Sequence, residues 1–254
     1  MTAEGAVLFT RFAYPPNALG YCGPHDHLAL FEYGTSGHPD AGLVDLARQF
    51  EGAWPYLELI AGSAGVEDPL DPRVVEAYWL GNELTGRVTR SEFGWHLRDR
   101  FGDRAGVAWS QVADAIEAGG VPTHAFHVLS VYPWIGLLRS GVVDEPLRVL
   151  DQCRIRWGRL VAVESDHARV RSRPLVWRDG RLELGTARVE EVRIAEGDAG
   201  FVAGWNPGDW AALHWDWACD RLDERRLGFL RAATRLQLDL VNHDLRPGPA
   251  TILS

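Results

Sequence analysis

Lysine is absent from this chain of 254 residues: all 26 basic residues are arginine, which points to base bias in the coding sequence before it points to chemistry. Cysteine is scarce and odd in number (Cys22, Cys153 and Cys219), which excludes a disulfide framework. No apolar run is long enough to span a bilayer. The opening MTAEGAVLFTRF lacks the basic stretch and apolar core of a secretory signal. Also missing are a phosphate-binding G-x-x-x-x-G-K-[ST] loop, a G-x-G-x-x-G turn after a strand, a G-x-S-x-G elbow and an H-E-x-x-H helix, so no familiar enzyme class is indicated. These absences lead to the expectation of a soluble, cytoplasmic protein with reduced thiols.

What is present is apolar, aromatic and acidic. Hydrophobic residues make up 46%, with 11 tryptophans, enough to bury a core. The net charge is −9 and sits at one end of the sequence: residues 1–150 hold 10 Arg against 19 acidic residues, whereas 151–217 hold 10 against 11. An acidic surface argues against nucleic acid and anionic membrane as partners.

The periodicity changes along the chain. Up to about residue 140 it is helical. Leu43, Leu46, Ala47, Phe50, Trp54 and Leu57 recur at steps of three and four. Asp71-Pro72 and Thr89-Arg90-Ser91-Glu92 are helix starts, the second a capping box. From Cys153 the period becomes two. CRIRWGRLVAV, HARVRSRPLVW, RLELG, ARVEEVRI and GDWAALHW read as short antiparallel strands separated by turn phrases. Closing them into a barrel would remove exposed edges. A helical period returns over about Asp223–His243. The expected fold is therefore α+β: an all-α domain (1–145), a small OB-like antiparallel barrel with a C-terminal helix (151–245), and a loose tail (246–254).

The second part resembles the HypC/HybG/HupF family, small chaperones of [NiFe]-hydrogenase maturation. The match lies in Cys153 opening CRIRWGRLVAV, in NPGDWAALHWDWACDRLDE with its Gly-Asp-aromatic phrase and His214, and in the helix that follows. It covers roughly residues 151–243. The resemblance implies an OB-like barrel that handles the iron carrying two cyanides and one carbon monoxide, Fe(CN)2CO, as a transient cargo. It implies that Cys153 and His214 are the iron ligands, and that the partners are a HypD-type scaffold and the hydrogenase large-subunit precursor. This chain departs from the family in that Cys153 is internal rather than N-terminal. In the first part, FAYPPNALGYCGP resembles a phrase of actinobacterial proteins and implies no activity.

A thiolate is a soft ligand suited to electron-rich iron, an imidazole can complete the site, and two protein ligands suit transfer better than permanent storage. Arg154 and Arg156 flank Cys153, where arginine can lower a thiol pKa or bond a cyanide nitrogen. His214 is expected at a strand end beside the barrel rim, sharing a face with Trp210 and Ala212. A second set, Cys22, His25 and His27, lies within six residues. It reads first as a capped helix start, with Pro24 at the first turn, and second as a transition-metal site. His124 and His127 are candidates for its missing ligand, or an interface face of their own helix. Cys219 reads as packing at a helix entrance. Three functions follow: a non-enzymatic maturation factor, a metal-dependent enzyme using the Cys22 set, or a metal-free adaptor.

Overall fold

A computed structural model describes residues 3–102 and 109–243. In chain order the helices are α1 (Ala3–Ala18), α2 (His27–Ser36), α3 (Ala41–Arg48), α4 (Trp54–Ala64), α5 (Pro72–Trp79), α6 (Arg90–Phe101), α7 (Trp109–Glu117), α8 (His124–Phe126), α9 (Trp134–Arg139) and α10 (Asp144–Cys153). Strands β1 (Arg156–Val163), β2 (His167–Ser172), β3 (Leu175–Arg178), β4 (Arg181–Leu184), β5 (Arg188–Arg193), β6 (Trp210–His214) and β7 (Trp217–Leu222) follow, and α11 (Glu224–His243) closes the described chain. The fold is α+β.

Helix starts obey their local chemistry. Asp71 accepts from the Arg73 amide with Pro72 at the first helical position. Thr89 and Glu92 form the reciprocal capping box at the head of α6. Asp26 caps α2 by accepting from the Ala29 amide, so the helix-start reading of Pro24–His27 is met. Helix α1 runs through Pro15 and Pro16, which remove two amide donors from its last turns.

The strands depart from expectation in three places. Cys153 does not open a strand: it is the last residue of α10, and β1 begins at Arg156. The phrase WDWACDRL does not enter a helix but forms β7, because Trp215 (φ +53°) with Asp216 makes a tight turn that folds it back on β6. Cys219 is therefore a buried strand residue. HARVRSRPLVW is cut at Pro174 into β2 and β3, since proline cannot donate to a ladder. The main sheet is mixed, in the order β1–β2–β5–β7–β6, and β1 also pairs with β6. Its β5–β7 joint is a single parallel pair, Arg193 with Trp217. The hairpin β3–β4 is a separate two-stranded sheet.

The helical and strand-rich parts share their interior. One cluster of buried side chains contains Phe9, Phe12, Tyr56, Tyr78 and Phe93 from the helices together with Ala212, Trp217 and Leu222 from the sheet and Leu227 and Leu230 from α11. A second joins Val128, Leu150 and Leu138 to Leu175 and Leu182 of the hairpin and Leu238 and Val241 of α11. Asn242 fixes that hairpin by bonding both the amide and the carbonyl of Leu182 at 2.9 Å. The change of periodicity near residue 150 falls within α10. The expected tail, 246–254, lies outside the described residues.

Candidate metal centre

Three segments distant in sequence meet at the end of α10. His124 opens α8, its turn set by Thr123, whose hydroxyl accepts from the Phe126 amide. Cys153 ends α10, and His214 ends β6. The candidate ligand atoms of His124, Cys153 and His214 all lie within 4.8 Å of one another, the one such group among the described residues. Were all three sides 4.8 Å, the centre would be about 2.8 Å from each atom, against about 2.0–2.3 Å for tight metal–nitrogen and metal–sulfur bonds, so loading would draw the ligands inward by about half an ångström.

The histidine tautomers follow from their partners. His214 Nδ1 sits 2.6 Å from the carbonyl of Phe12. A carbonyl only accepts, so Nδ1 carries the proton and Nε2 carries the lone pair. That carbonyl is free for a covalent reason: its ordinary helical donor would be the amide of residue 16, which is proline. Nε2 of His214 is buried with no partner in hydrogen-bond geometry. The Cys153 carbonyl lies near enough to bond the charged ring, but a carbonyl only accepts, so it offers nothing to the lone pair of neutral Nε2; it accepts from His124 Nε2 at 2.8 Å. As one of the last carbonyls of α10, it has no helical donor of its own. His124 Nδ1 meets the Tyr78 hydroxyl at 3.1 Å, so the hydroxyl donates to a neutral ring. A histidine anchored by N–H to a backbone carbonyl, with its other nitrogen bare, is the usual second-sphere arrangement of a metal ligand.

Burial sets the charges. His214 is fully buried, with its imidazolium disfavoured first by desolvation and then by His124 and Arg156, so its pKa lies well below the ordinary value. Desolvation holds His124 down to about 4. Cys153 keeps some exposed surface as a residue, yet desolvation pushes its thiol above the usual range, followed by repulsion from Cys22. Without metal the group is thus a thiol and two neutral imidazoles. Trp79, at ring distances of 4.7 Å from His124 and 5.7 Å from His214, forms an apolar wall.

The expectations for the neighbouring residues divide. Cys153 and His214 come together, but His214 lies in the interior, where α1 and Trp79 cover the strand end, and not on an open rim. Arg154 is engaged by Asp151 (2.9 Å) and the Arg173 carbonyl (2.8 Å), and Arg156 by Glu190, Gln152 and the Trp215 carbonyl. Both guanidiniums are buried and committed to structure. Of the second set, His25 is exposed, His27 is half-buried at the first turn of α2, and Cys22 lies in the loop before it. The three do not assemble as a ligand group. His127 bonds Tyr56 at 3.2 Å and does not join Cys22 in a ligand group either. The ligand that sequence reasoning placed elsewhere is His124. Its signal was Thr123 before it, which fixes a buried helix start, together with the Pro15-Pro16 pair that frees a carbonyl for His214.

Fold and site define an α+β protein with a buried cluster of one cysteine and two histidines that could hold a metal ion. Residues 1–248 match the model of the Family of unknown function (DUF6390), and the chain belongs to that family. No curated protein and no solved structure matches it. No described helix is long and apolar enough to cross a membrane.

Proposed function

We propose that this protein binds a soft transition-metal ion through Cys153, His214 and His124, and that it serves in metallocentre assembly as a non-enzymatic carrier. The observation that carries this reading is the bare, buried Nε2 of His214 beside a thiol, its tautomer held by the Phe12 carbonyl. An unpaired buried nitrogen costs about 1–3 kcal/mol, a cost that a bound metal removes. A thiol nucleophile needs a lowered pKa, whereas burial raises that of Cys153. A metal supplies the missing charge and displaces the thiol proton.

The narrower reading is that the cargo is the Fe(CN)2CO unit of a [NiFe]-hydrogenase. The resemblance of residues 151–243 to the HypC/HybG/HupF family supports it through the order of Cys153, His214 and the closing helix, although Cys153 ends α10 instead of opening β1 and β7 stands between His214 and α11. The partners would be a HypD-type scaffold and the large-subunit precursor, and the compartment the cytoplasm, where thiols stay reduced. The test is anaerobic purification from the native host, followed by metal analysis and infrared spectroscopy. Iron with cyanide and carbon monoxide stretching bands, lost in Cys153→Ala, supports the reading. Full hydrogenase maturation by Cys153→Ala refutes the ligand role. Bound metal without those bands leaves the carrier and removes the hydrogenase cargo.

A further inference from the structure

The cleft between α1, α5, β7 and the start of α11 holds one arginine more than it pairs well. It encloses a cavity of about 640 Å³. Gly5 lets two of its walls meet: a Cβ there would lie 1.9 Å from the Leu70 carbonyl and 2.6 Å from the Pro72 nitrogen, so the first turns of α1 and α5 pack backbone to backbone. Helix α11 brings its own first turn, with Arg225 and Arg226, to the same space. Three helix N-termini, each the positive end of its dipole, therefore border the cavity, and Asp71 and Asp223 cap two of them. Four guanidiniums line it against three carboxylates, Glu4, Glu76 and Asp220, a surplus of one positive charge in a chain of net charge −9. Three of the arginines are committed. Arg73 forks onto Asp71 through two bonds of 2.9 Å, and Arg225 donates to Glu76 at 2.7 and 3.0 Å. Arg226 donates to Asp220 at 2.5 Å and to the Arg221 carbonyl at 2.9 Å. Arg11 is different. Its one hydrogen bond among the described residues is Nη1 to Asp220, long at 3.4 Å, and its Nε is buried with no partner. Asp220 does not depend on that bond, because Arg226 holds its other oxygen.

We propose that this cavity binds a small organic monocarboxylate, with the Arg11 guanidinium as its anchor. The proposal does not rest on the metal-binding reading. Arg11, whose side chain is 26% exposed, turns its fork from the weak Asp220 contact to the ligand. The carboxylate then accepts from Nε and a terminal nitrogen side-on, which supplies the partner that Nε lacks. One negative charge matches the surplus. A dianion such as phosphate would set a second charge against Glu4, Glu76 and Asp220, and like charges brought together are costly. The ligand's carbon body lies along Val7, Leu8 and Pro72, which form an apolar part of the wall. The volume falls in the range of about 300–1,000 Å³ typical of small-molecule sites, and so exceeds what a bare ion fills.

The test is isothermal titration calorimetry on the full chain at low ionic strength, with hexanoate and benzoate as probes and hexan-1-ol and inorganic phosphate as controls. At least one of the two carboxylates binds with a stoichiometry of one per chain, hexan-1-ol gives no binding and phosphate binds more weakly. Arg11→Gln lowers the carboxylate affinity by about tenfold or more, the loss of one charge-assisted pair. Arg73→Gln, which removes a guanidinium already forked onto Asp71, changes it by less than about threefold. Leu8→Glu places a like charge on the apolar wall and also abolishes binding, which keeps the test open should the Arg11 variant fold poorly; circular dichroism reports the fold of each. Failure of both carboxylates to bind at millimolar concentration overturns the proposal. So does wild-type affinity in folded Arg11→Gln or Leu8→Glu, or equal binding of hexan-1-ol. Phosphate binding more tightly than either carboxylate overturns the ligand class and makes the cavity a phosphate site.

Discussion

Lowering the pH from 7 to 5 should weaken metal binding by about two decades and no more. The magnitude follows from the protonation states of the ligands. Cys153 is protonated throughout this range, because burial raises its pKa, so seating a metal releases one proton and the apparent affinity falls tenfold per pH unit. His124, held to about 4, and His214, held well below its ordinary value, are already neutral. Neither has a proton to lose: whichever nitrogen of His124 binds metal, the other keeps the proton. Two decades correspond to about 3 kcal/mol. If the same residues had ordinary pKa values, both imidazoles would charge below about 6.5 and the loss would approach five decades. The assay is competition for Co²⁺ against a chromophoric chelator under anaerobic conditions, with far-UV circular dichroism confirming the fold at each pH. A slope near one in log K against pH supports a buried, neutral site. A slope approaching three below pH 6.5 would mean solvent-exposed histidines and would refute the reasoning, and a slope of zero would remove the thiolate from the coordination sphere.

The remaining predictions concern the scaffold. Pro16→Ala restores an amide donor for the Phe12 carbonyl, which then competes with His214 Nδ1; metal affinity should fall about 10–100-fold with the helix intact, as read by the same competition titration. The apo protein should lose stability as pH falls from about 6.5 toward 4, since the unfolded chain takes up protons that folded His124 and His214 refuse. His124 alone should cost about 3 kcal/mol across that window, measured by urea unfolding, and a flat profile would contradict its burial. Glu190→Ala strands the buried Arg156 guanidinium and should destabilise by about 3–5 kcal/mol in the same assay, whereas Glu145→Ala, at an exposed pair with Arg148, should change stability by under about 1 kcal/mol.

Much of the secondary structure is written in neighbouring residues. The capping box of Thr89 and Glu92, the Asp71-Pro72 start and the apolar stripe of α11 each act across a few positions, so local chemistry reveals them. The same locality explains the misreadings. WDWACDRL looks like a helix entrance because its acids suit one, but Trp215 accepts a left-handed turn once Tyr21 stacks on it and its amide and carbonyl bond Gln152 and Arg156. Cys153 ends a helix rather than starting a strand because α10 buries Leu150 against the hairpin and its neighbours, with Leu147 and Cys153 packed beside it.

The sequence by itself determined the α+β class and the helix boundaries set by caps, and its family resemblance singled out Cys153 and His214. Tertiary structure alone decided that His124 joins them and that His25 and His27 stay apart. The bond that fixes His214 spans 202 positions, from β6 to a carbonyl left free by a proline in α1. Such a contact depends on how helices and sheet share one interior, and no rule of local spacing reaches that far.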